Sequence, residues 1–332
     1  MKKKIAFFDS KPYDEESFMQ DSLIGNFDCK FFNMRLSADS LPLCENFDAV
    51  CCFVNDDLSA PIVEGLAGYG IKIIALRCAG YNQVDLQAVA NHGLHVVHVP
   101  AYSSYAIAEH TVALILSLNR KIHKAYNRTR DANFSINGLL GFDIYKKTIG
   151  IVGLGKIARS LVSILKGFGA NVIAYDIYPD EEYAKEVGIC YTSLAEVFSA
   201  SDILTLHCPL SKETKHMINK ESIAMMKDGV MIINTGRGKL IDSQALIKGL
   251  KTGKIGSAGL DVYEEESEYF FEDRSEETLT DDVLARLLSF HNVLITSHQA
   301  FFTKEAMQNI SRTTLENLQE YFDGESLSNK VR

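Results

Sequence analysis

The amino-acid sequence predicts an α/β protein with two domains, each built on a parallel sheet. Its 332 residues exceed what one hydrophobic core of ordinary size organises, so two domains are expected. Short apolar runs recur along the chain and are separated by polar segments with helical spacing, which indicates repeated strand–helix–strand units. Hydrophobic residues make up 46% and charged residues 23% of the chain, as is typical of a globular protein.

The apolar runs fall into two series of predicted strands. The first series comprises residues 5–8, 49–54, 71–76 and 95–99. The second comprises residues 148–153, 172–176, 203–207, 230–234, 257–261 and 293–296. Between them, a helix is predicted over 106–121, with Ser103 or Ser104 as its cap. An amphipathic helix is predicted over 304–322.

The position of the second series predicts one domain inserted in another. After residue 298 only about thirty residues remain, too few for a domain of their own, so they are expected to pack on the first domain. We therefore predict a first domain formed by residues 1–101 and 299–332, and a second formed by residues 102–298.

Composition and charge exclude several functional classes. The chain has 34 lysine and arginine residues against 43 acidic residues and no basic block, which argues against nucleic acid as the main partner. Seven cysteines without a repeated spacing predict no disulfide framework and indicate the reducing cytoplasm. The longest helical apolar stretch, 112–118, is too short to span a membrane. His95 and His98 point to opposite faces of a strand, so no metal site is predicted.

A glycine motif follows the first strand of the second series. Residues 149–158 read Ile-Gly-Ile-Val-Gly-Leu-Gly-Lys-Ile-Ala, with glycines at 153 and 155 and Ala158 at the close-packing position. The glycines permit a tight turn and close approach of a pyrophosphate, which the helix N-terminus at Lys156 and Ile157 attracts. Taken alone, such a motif also matches ordinary strand-to-helix turns.

Asp176 adds the second part of a dinucleotide-binding pattern. It lies eighteen residues beyond Ala158, at the end of the next apolar run. A carboxylate there accepts hydrogen bonds from both ribose hydroxyls and repels a 2′-phosphate, which predicts NAD rather than NADP. The alternative reading of Asp176 is a helix cap or a solvated loop acid. Together the two parts predict a Rossmann coenzyme domain inserted in a discontinuous, flavodoxin-like substrate domain, both doubly wound parallel sheets.

Seven segments together resemble the D-isomer-specific 2-hydroxyacid dehydrogenases, and within that family the fermentative D-lactate branch. They are residues 77–82 (RCAGYN), 99–102 (VPAY), the glycine motif, 207–210 (HCPL), 234–238 (NTGRG), 259–263 (GLDVY) and 297–301 (SHQAF). The resemblance implies NADH-dependent, reversible reduction of pyruvate to D-lactate. Alternatives are reduction of glyoxylate, hydroxypyruvate or a larger 2-keto acid, and a non-catalytic protein that senses NAD.

Three residues are predicted to carry the reaction. Hydride transfer to a keto carbon builds negative charge on the carbonyl oxygen, so the site needs a cation and a proton donor. The planar fork of Arg237 suits the first need, and His298, just past a strand, suits the second. The resemblance implies that Glu266 is the acidic partner of His298, which would favour the imidazolium and orient it. Glu264, Glu265 and Glu268 stand close enough in sequence to compete for that role.

The resemblance also implies the substrate contacts. The backbone amides of Cys78, Ala79 and Gly80 would hold the substrate carboxylate, and Tyr102 would contact the substrate. Phe301, with Phe53 as a further candidate, would form a wall of a small methyl pocket. Aromatic residues near strand ends are more often simply part of a core.

The remaining implied contacts concern the coenzyme and a second copy of the chain. Asp261 would contact the nicotinamide amide, and Cys208, Pro209, Thr235, Gly236 and Arg237 would lie beside the nicotinamide ribose. Cys208 is not expected to act as a nucleophile, because hydride transfer needs no thiolate. Residues 121–145 resemble the family's dimerisation arm, so a homodimer or homotetramer is expected.

Overall fold

The computed structural model describes residues 2–331, which form two compact units. Residues 2–103 and 302–331 belong to the first unit, and residues 104–301 to the second. The predicted domain boundaries, after residues 101 and 298, differ from these by two and three residues.

The elements alternate along the chain as the sequence pattern predicts. The strands are β1 (Lys3–Phe7), β2 (Phe27–Phe31), β3 (Ala49–Cys52), β4 (Ile73–Leu76), β5 (His95–Val97), β6 (Thr148–Val152), β7 (Asn171–Tyr175), β8 (Cys190–Tyr191), β9 (Ile203–Leu206), β10 (Val230–Asn234), β11 (Ile255–Leu260) and β12 (Val293–Ile295). The helices are α1 (Pro12–Met19), α2 (Ala60–Gly68), α3 (Leu86–Asn91), α4 (Ser104–Arg120), α5 (Ile122–Arg130), α6 (Lys156–Gly167), α7 (Glu181–Val187), α8 (Leu194–Ala200), α9 (Lys220–Met225), α10 (Ser243–Thr252), α11 (Asp282–Leu288) and α12 (Lys304–Asp323).

The first unit contains a five-stranded parallel sheet in the order β2-β1-β3-β4-β5. This is the doubly wound order of flavodoxin-like folds, as predicted. Its core joins Ile5 and Phe7 of β1 to Leu315 and Leu318 of α12, so the C-terminal helix packs on the first unit. The strand β2 was not predicted, because its alternating residues form no continuous apolar run; it lies at the edge of the sheet.

The second unit contains a seven-stranded parallel sheet in the order β12-β11-β10-β9-β6-β7-β8. Counted from β6, its first six strands have the Rossmann order, and the predicted Rossmann fold is confirmed. The direction of winding reverses between β6 and β9, which is where such sheets bind their ligands. The two-residue strand β8 was not predicted, because two residues carry no periodic signal.

The two helices predicted at the unit boundaries are both present. The hydroxyl of Thr303 accepts the N–H of Ala306 and so caps α12, and Gly324 ends that helix with φ of +75°. The helix α4 begins two residues before the predicted start and packs on β10, β11 and α6. None of the helices in residues 2–331 has the length and apolar character needed to cross a membrane.

Candidate active site

The three residues predicted to carry the reaction follow three neighbouring strands of the second unit. Arg237 follows β10, Glu266 follows β11 and His298 follows β12, and these strands are paired side by side. The carboxyl ends of parallel strands meet at one edge of a sheet. The fold therefore brings the three loops to the same edge, although the residues are up to 61 positions apart in sequence.

His298 and Glu266 form a hydrogen-bonded pair. The Nδ1 atom of His298 lies 2.8 Å from Oε1 of Glu266, and each side chain is 21% exposed. The other carboxylate oxygen of Glu266 accepts the backbone N–H of Tyr263 at 2.8 Å. Both oxygens are thus used, and the carboxylate is held in one orientation. A carboxylate at Nδ1 leaves Nε2 as the atom of the imidazole that can exchange a proton with a ligand.

The neighbouring glutamates have other contacts. Glu264 lies 2.6 Å from Nε2 of His216 and accepts the hydroxyl of Ser243 at 2.9 Å. Glu265 lies 3.7 Å from Nζ of Lys239. The geometry therefore places Glu266, rather than either of these neighbours, beside His298.

Arg237 lies on a loop whose shape depends on its glycines. The Nδ2 atom of Asn234 donates to the carbonyl of Arg237 at 2.9 Å, and Oδ1 of Asn234 accepts the N–H of Gly236 at 3.0 Å. A Cβ at Gly238 would collide with the carbonyl of Tyr263, so only glycine lets this loop lie against the loop that carries Glu266. Nη1 of Arg237 donates to the carbonyl of Gly236 at 2.8 Å, which orients a half-buried guanidinium.

Asp261 is held by contacts within the second unit. Its side chain is fully buried, and its carboxylate accepts the N–H groups of Gln299 and Ala300, each at 2.9 Å, and the hydroxyl of Thr296 at 2.5 Å. Burial raises the pKa of Asp261, but hydrogen bonds from His110, Thr296 and Ala300 outweigh burial and lower it below its ordinary value. The carboxylate therefore holds the loop around His298, and a contact with nicotinamide stays a prediction.

The glycine motif fits a dinucleotide. Gly153 has φ of +87°, and a Cβ there would lie 2.6 Å from the backbone N of Cys208, so the turn requires glycine. Gly155 is the N-cap of α6 and has no capping side chain, and a Cβ there would meet no atom within 4 Å. The N–H groups of Lys156 and Ile157 thus begin a helix whose N-terminus faces open space, as a bound pyrophosphate requires.

Asp176 lies just past β7, beside this turn. Its Oδ2 accepts the N–H of Leu154 at 2.6 Å, and its Oδ1 accepts the N–H of Tyr178 at 2.8 Å. Each oxygen keeps a second lone pair, so the carboxylate fits a ribose diol. The nearby Arg159 is paired with Asp180 at 2.7 Å rather than placed to bind a 2′-phosphate.

The other predicted coenzyme contacts lie at the carboxyl ends of β9 and β10. Cys208 and Pro209 follow β9, and burial raises the pKa of the Cys208 thiol to about 11, so it stays neutral. Thr235 follows β10 and is buried, and its hydroxyl lies 3.0 Å from that of Thr111 on α4.

The predicted substrate residues other than Phe301 lie in the first unit. The loop of Cys78, Ala79 and Gly80 follows β4, and its carbonyl groups are engaged: Val99 N–H donates to Cys78 O at 3.1 Å, and Nδ1 of His98 lies 2.9 Å from Ala79 O. The Cys78 thiol donates to Gly80 O at 3.2 Å. All three carbonyls of the loop thus have partners, and binding of an anion by the loop amides stays a prediction.

The three predicted aromatic contacts have separate surroundings. Tyr102 is half-buried, and its carbonyl accepts Nδ2 of Asn309 on α12 at 2.6 Å. Phe301 ends the second unit and is buried. Phe53 is buried in the first unit, and its ring face is covered by the guanidinium of Arg77 at 4.7 Å. That contact gives Phe53 the core role that the sequence leaves as the alternative for aromatic residues near strand ends.

Sequence reasoning missed two polar groups. One is the side chain of Arg77, which is fully buried beside Asp14. The other is the pair His110 and Thr111 on α4. These two residues stand three and four positions after the buried Ile107, on the face that the apolar spacing predicts to be buried, and this spacing is the signal that could have found them.

Comparisons with known proteins identify the family of the chain. The family described as D-isomer specific 2-hydroxyacid dehydrogenase, NAD binding domain, matches residues 112–300. A D-lactate dehydrogenase of Escherichia coli is 50% identical over 328 residues, which cover 99% of each chain.

Solved structures extend the similarity to the fold. The apo-structure of D-lactate dehydrogenase from Escherichia coli superposes with a TM-score of 0.90 at 47% identity, over 99% of this chain and 100% of that one. A structure of the pyruvate reductase of Chlamydomonas reinhardtii superposes with a TM-score of 0.92 at 43% identity, over 99% and 98% of the two chains. The chain belongs to the D-isomer specific 2-hydroxyacid dehydrogenase family, and it is an NAD-dependent oxidoreductase.

Proposed function

We propose that this protein is a D-lactate dehydrogenase, which reduces pyruvate to D-lactate with NADH and runs in reverse with NAD. The observation that carries the proposal is the 2.8 Å contact between His298 and Glu266, on the loop next to that of Arg237. A histidine oriented by a carboxylate, near an arginine, is the set of groups that keto-acid reduction needs. The 50% identity with a D-lactate dehydrogenase supports pyruvate as the substrate.

The coenzyme, when bound, supplies the hydride that reduces the keto carbon. His298 donates the proton that the carbonyl oxygen takes up, so the product carries one hydride and one proton more than pyruvate. Glu266 stabilises the protonated imidazole through Nδ1 and leaves Nε2 as the nitrogen that exchanges the proton with the substrate. In lactate oxidation the neutral imidazole accepts the proton again.

Arg237 has two roles in this proposal. Its guanidinium binds the substrate carboxylate through parallel N–H groups, and its positive charge stabilises the negative charge that develops on the keto oxygen. The hydrogen bond from Nη1 to Gly236 O holds the guanidinium in place before substrate arrives. Such preorganisation avoids reorganisation during the reaction.

The test is a steady-state screen of short 2-keto acids with NADH. Pyruvate, glyoxylate, hydroxypyruvate, 2-oxobutyrate and 4-methyl-2-oxopentanoate are compared by kcat/KM, and the product is resolved on a chiral column. We expect pyruvate to give the highest value and D-lactate as the product. A higher value for another acid would reassign the substrate. Coenzyme binding without oxidation of NADH by any of them would favour the NAD-sensing alternative.

Coenzyme choice gives an independent test. The charge of Asp176 opposes a 2′-phosphate, and Ile177, Tyr178 and Pro179 follow it without a cation. We expect a strong preference for NADH over NADPH. Asp176→Ser should reduce this preference, because it weakens the binding of NADH and removes the repulsion of the 2′-phosphate of NADPH. Asp273→Ser, at an exposed loop aspartate, is the control. Equal activity of the parent enzyme with NADPH would contradict the proposal.

We also propose that the chain forms a homodimer or homotetramer through residues 121–145. Six large hydrophobic side chains in this segment are more than half exposed: Ile122, Tyr126, Phe134, Ile136, Leu140 and Tyr145. Leu140 alone is 88% exposed, and such a patch is typical of a contact surface. Sedimentation of Ile136→Lys and Leu140→Lys should show smaller species than the parent; unchanged mass would exclude this segment.

The proposed location is the cytoplasm. All seven cysteines lie within residues 2–331 and are free thiols there, and Cys190 is exposed. Exposed free thiols persist in reducing compartments. Fractionation of cells that produce the protein would test this placement.

A further inference from the structure

The turn that presents His298 is unfavourable by itself. His298 has φ of +54°, in the left-handed region that a side chain with a Cβ rarely adopts. Such a conformation persists only where surrounding contacts impose it, and it often occurs at functional sites. The contacts that impose it therefore also determine where the imidazole lies.

Asp261 supplies most of these contacts. Its backbone carbonyl accepts the N–H of His298 at 2.7 Å. Its carboxylate accepts the N–H groups of the next two residues, Gln299 and Ala300. One residue thus binds three successive amides, and the turn is as rigid as the position of the Asp261 side chain.

His110 and Thr296 fix that side chain. The hydroxyl of Thr296 donates its one hydrogen to Oδ1 of Asp261 at 2.5 Å. Its oxygen therefore acts as acceptor toward Nε2 of His110, 3.1 Å away, and the same Nε2 lies 3.4 Å from Oδ1 of Asp261. This arrangement requires a hydrogen on Nε2 of His110. A donor at this point compensates for burial of the carboxylate charge.

We propose that His110 is a positioning residue for the reaction, which holds the His298 turn through Thr296 and Asp261. This inference rests on the proposed function in one respect, because kcat of that reaction is the quantity that measures the effect of His110. His110 lies on α4, 188 residues before His298 in sequence. The next residue on the same helix, Thr111, contacts Thr235, two residues before Arg237. Adjacent residues of α4 therefore contact the segment that leads to His298 and the segment that leads to Arg237.

The first experiment compares two substitutions of His110. Leucine keeps the approximate volume and removes the donor, whereas glutamine places an N–H near the position of Nε2. We expect His110→Leu to lower kcat about tenfold, since small misplacement of a reacting group is costly, with the Kd for NADH within about twofold of the parent. His110→Gln should recover most of kcat. His291→Leu, at an exposed histidine, is the matched control.

A double-mutant cycle tests the route of the effect. Thr296→Val removes the hydroxyl between His110 and Asp261, so its loss of kcat should not add to that of His110→Leu. A crystal structure of His110→Leu should show the His298 turn displaced, with Nδ1 no longer 2.8 Å from Oε1 of Glu266. This structural readout does not depend on turnover.

The failures of the two proposals are distinguishable. If His110→Leu keeps kcat within about twofold, if His110→Gln is as impaired as leucine, or if the losses with Thr296→Val add fully, the positioning role is wrong. If the parent reduces no keto acid, the proposed function is wrong, and the displaced turn alone decides the role of His110. An unmoved turn in the crystal structure would overturn the inference in either case.

Discussion

Two ion pairs at the carboxyl ends of the two sheets differ in exposure. In the first unit, Arg77 after β4 lies 3.4 Å from Asp14, with side chains 0% and 5% exposed. In the second unit, His298 after β12 lies 2.8 Å from Glu266, and both side chains are 21% exposed. Both groups are paired charges, so exposure rather than charge pairing separates the Arg77–Asp14 pair from the candidate catalytic pair of His298 and Glu266.

The buried cluster in the first unit consists of Arg77 and the groups around it, which are Asp9, Asp14, Phe53 and Asp56. Nη2 of Arg77 donates to the carbonyl of Asp9 at 2.6 Å, and its guanidinium covers the ring of Phe53. Burial raises the pKa of Asp56 to about 7, and the Arg77 charge opposes that rise. Asp56 accepts the N–H groups of Leu36 and Phe53, so the cluster holds loops together. Removing a buried cation from such a group leaves carboxylates without compensation.

The largest expected effect is at His298. Glutamine keeps a polar side chain but cannot act as an acid, so His298→Gln should lower kcat for pyruvate about a thousandfold, within the range of general acid catalysis. The Tm and the Kd for NADH should stay near those of the parent. His291→Gln, at an exposed histidine, serves as the control. If the Tm of His298→Gln falls far enough to account for the lost activity, the His298–Glu266 pair is structural, like the Arg77–Asp14 pair.

The reverse pattern is expected at Arg77. Arg77→Met keeps much of the volume and removes the charge, which should lower the free energy of unfolding by about 3 kcal/mol or more. Arg274→Met removes an exposed cation that lies 2.7 Å from Glu277, and should cost less than about 1 kcal/mol. Denaturant unfolding of both variants measures the difference. Equal destabilisation would show that burial does not distinguish these pairs.

A smaller effect is expected at Arg237. Arg237→Lys keeps the charge but not the planar fork, so kcat/KM for pyruvate should fall about a hundredfold. NADH affinity, measured by fluorescence titration, should change little. Lys239→Arg, two residues further along the same loop, is the control, because it also exchanges one cationic side chain for another. A value of kcat/KM within about twofold of the parent would remove Arg237 from the proposed site.

Sequence patterns predicted the parts of this molecule that depend on local geometry. The motif of Gly153 and Gly155 has a fixed relation to a strand and a helix, and the spacing to Asp176 spans one strand–helix–strand unit. The parallel sheets followed from continuous apolar runs. Local spacing does not single out Glu266, because four glutamates lie within five positions and only the loop conformation brings one of them to His298.

The missed groups depend on contacts between distant segments. Arg77 meets Asp14 across 63 positions and His110 meets Thr296 across 186. Helical spacing places His110 on the buried face of α4, but no local spacing identifies the partner of either residue. A charged residue in isolation is usually exposed, so sequence alone favours the wrong environment for Arg77. The turn at His298 was also unpredictable, since a histidine with positive φ is uncommon and depends on Asp261.

The smallest effect concerns the charge of Glu266. It is also the sharpest test of the partly exposed pair that Glu266 forms with His298. Pyruvate reduction needs the protonated imidazole, so its rate falls as pH rises and His298 loses its proton, while lactate oxidation shows the opposite dependence. Glu266→Gln removes the charge that stabilises the imidazolium, so the falling limb of reduction should move to lower pH. An amide also offers one acceptor where the carboxylate accepts from both His298 and Tyr263, so kcat should fall as well. Glu268→Gln, an exposed neighbour, should leave the limb in place. The outcome that would contradict this is an unchanged profile of kcat/KM against pH in Glu266→Gln. The carboxylate would then orient His298 without stabilising its protonated form, and its role would be structural, like that of Asp14 beside Arg77.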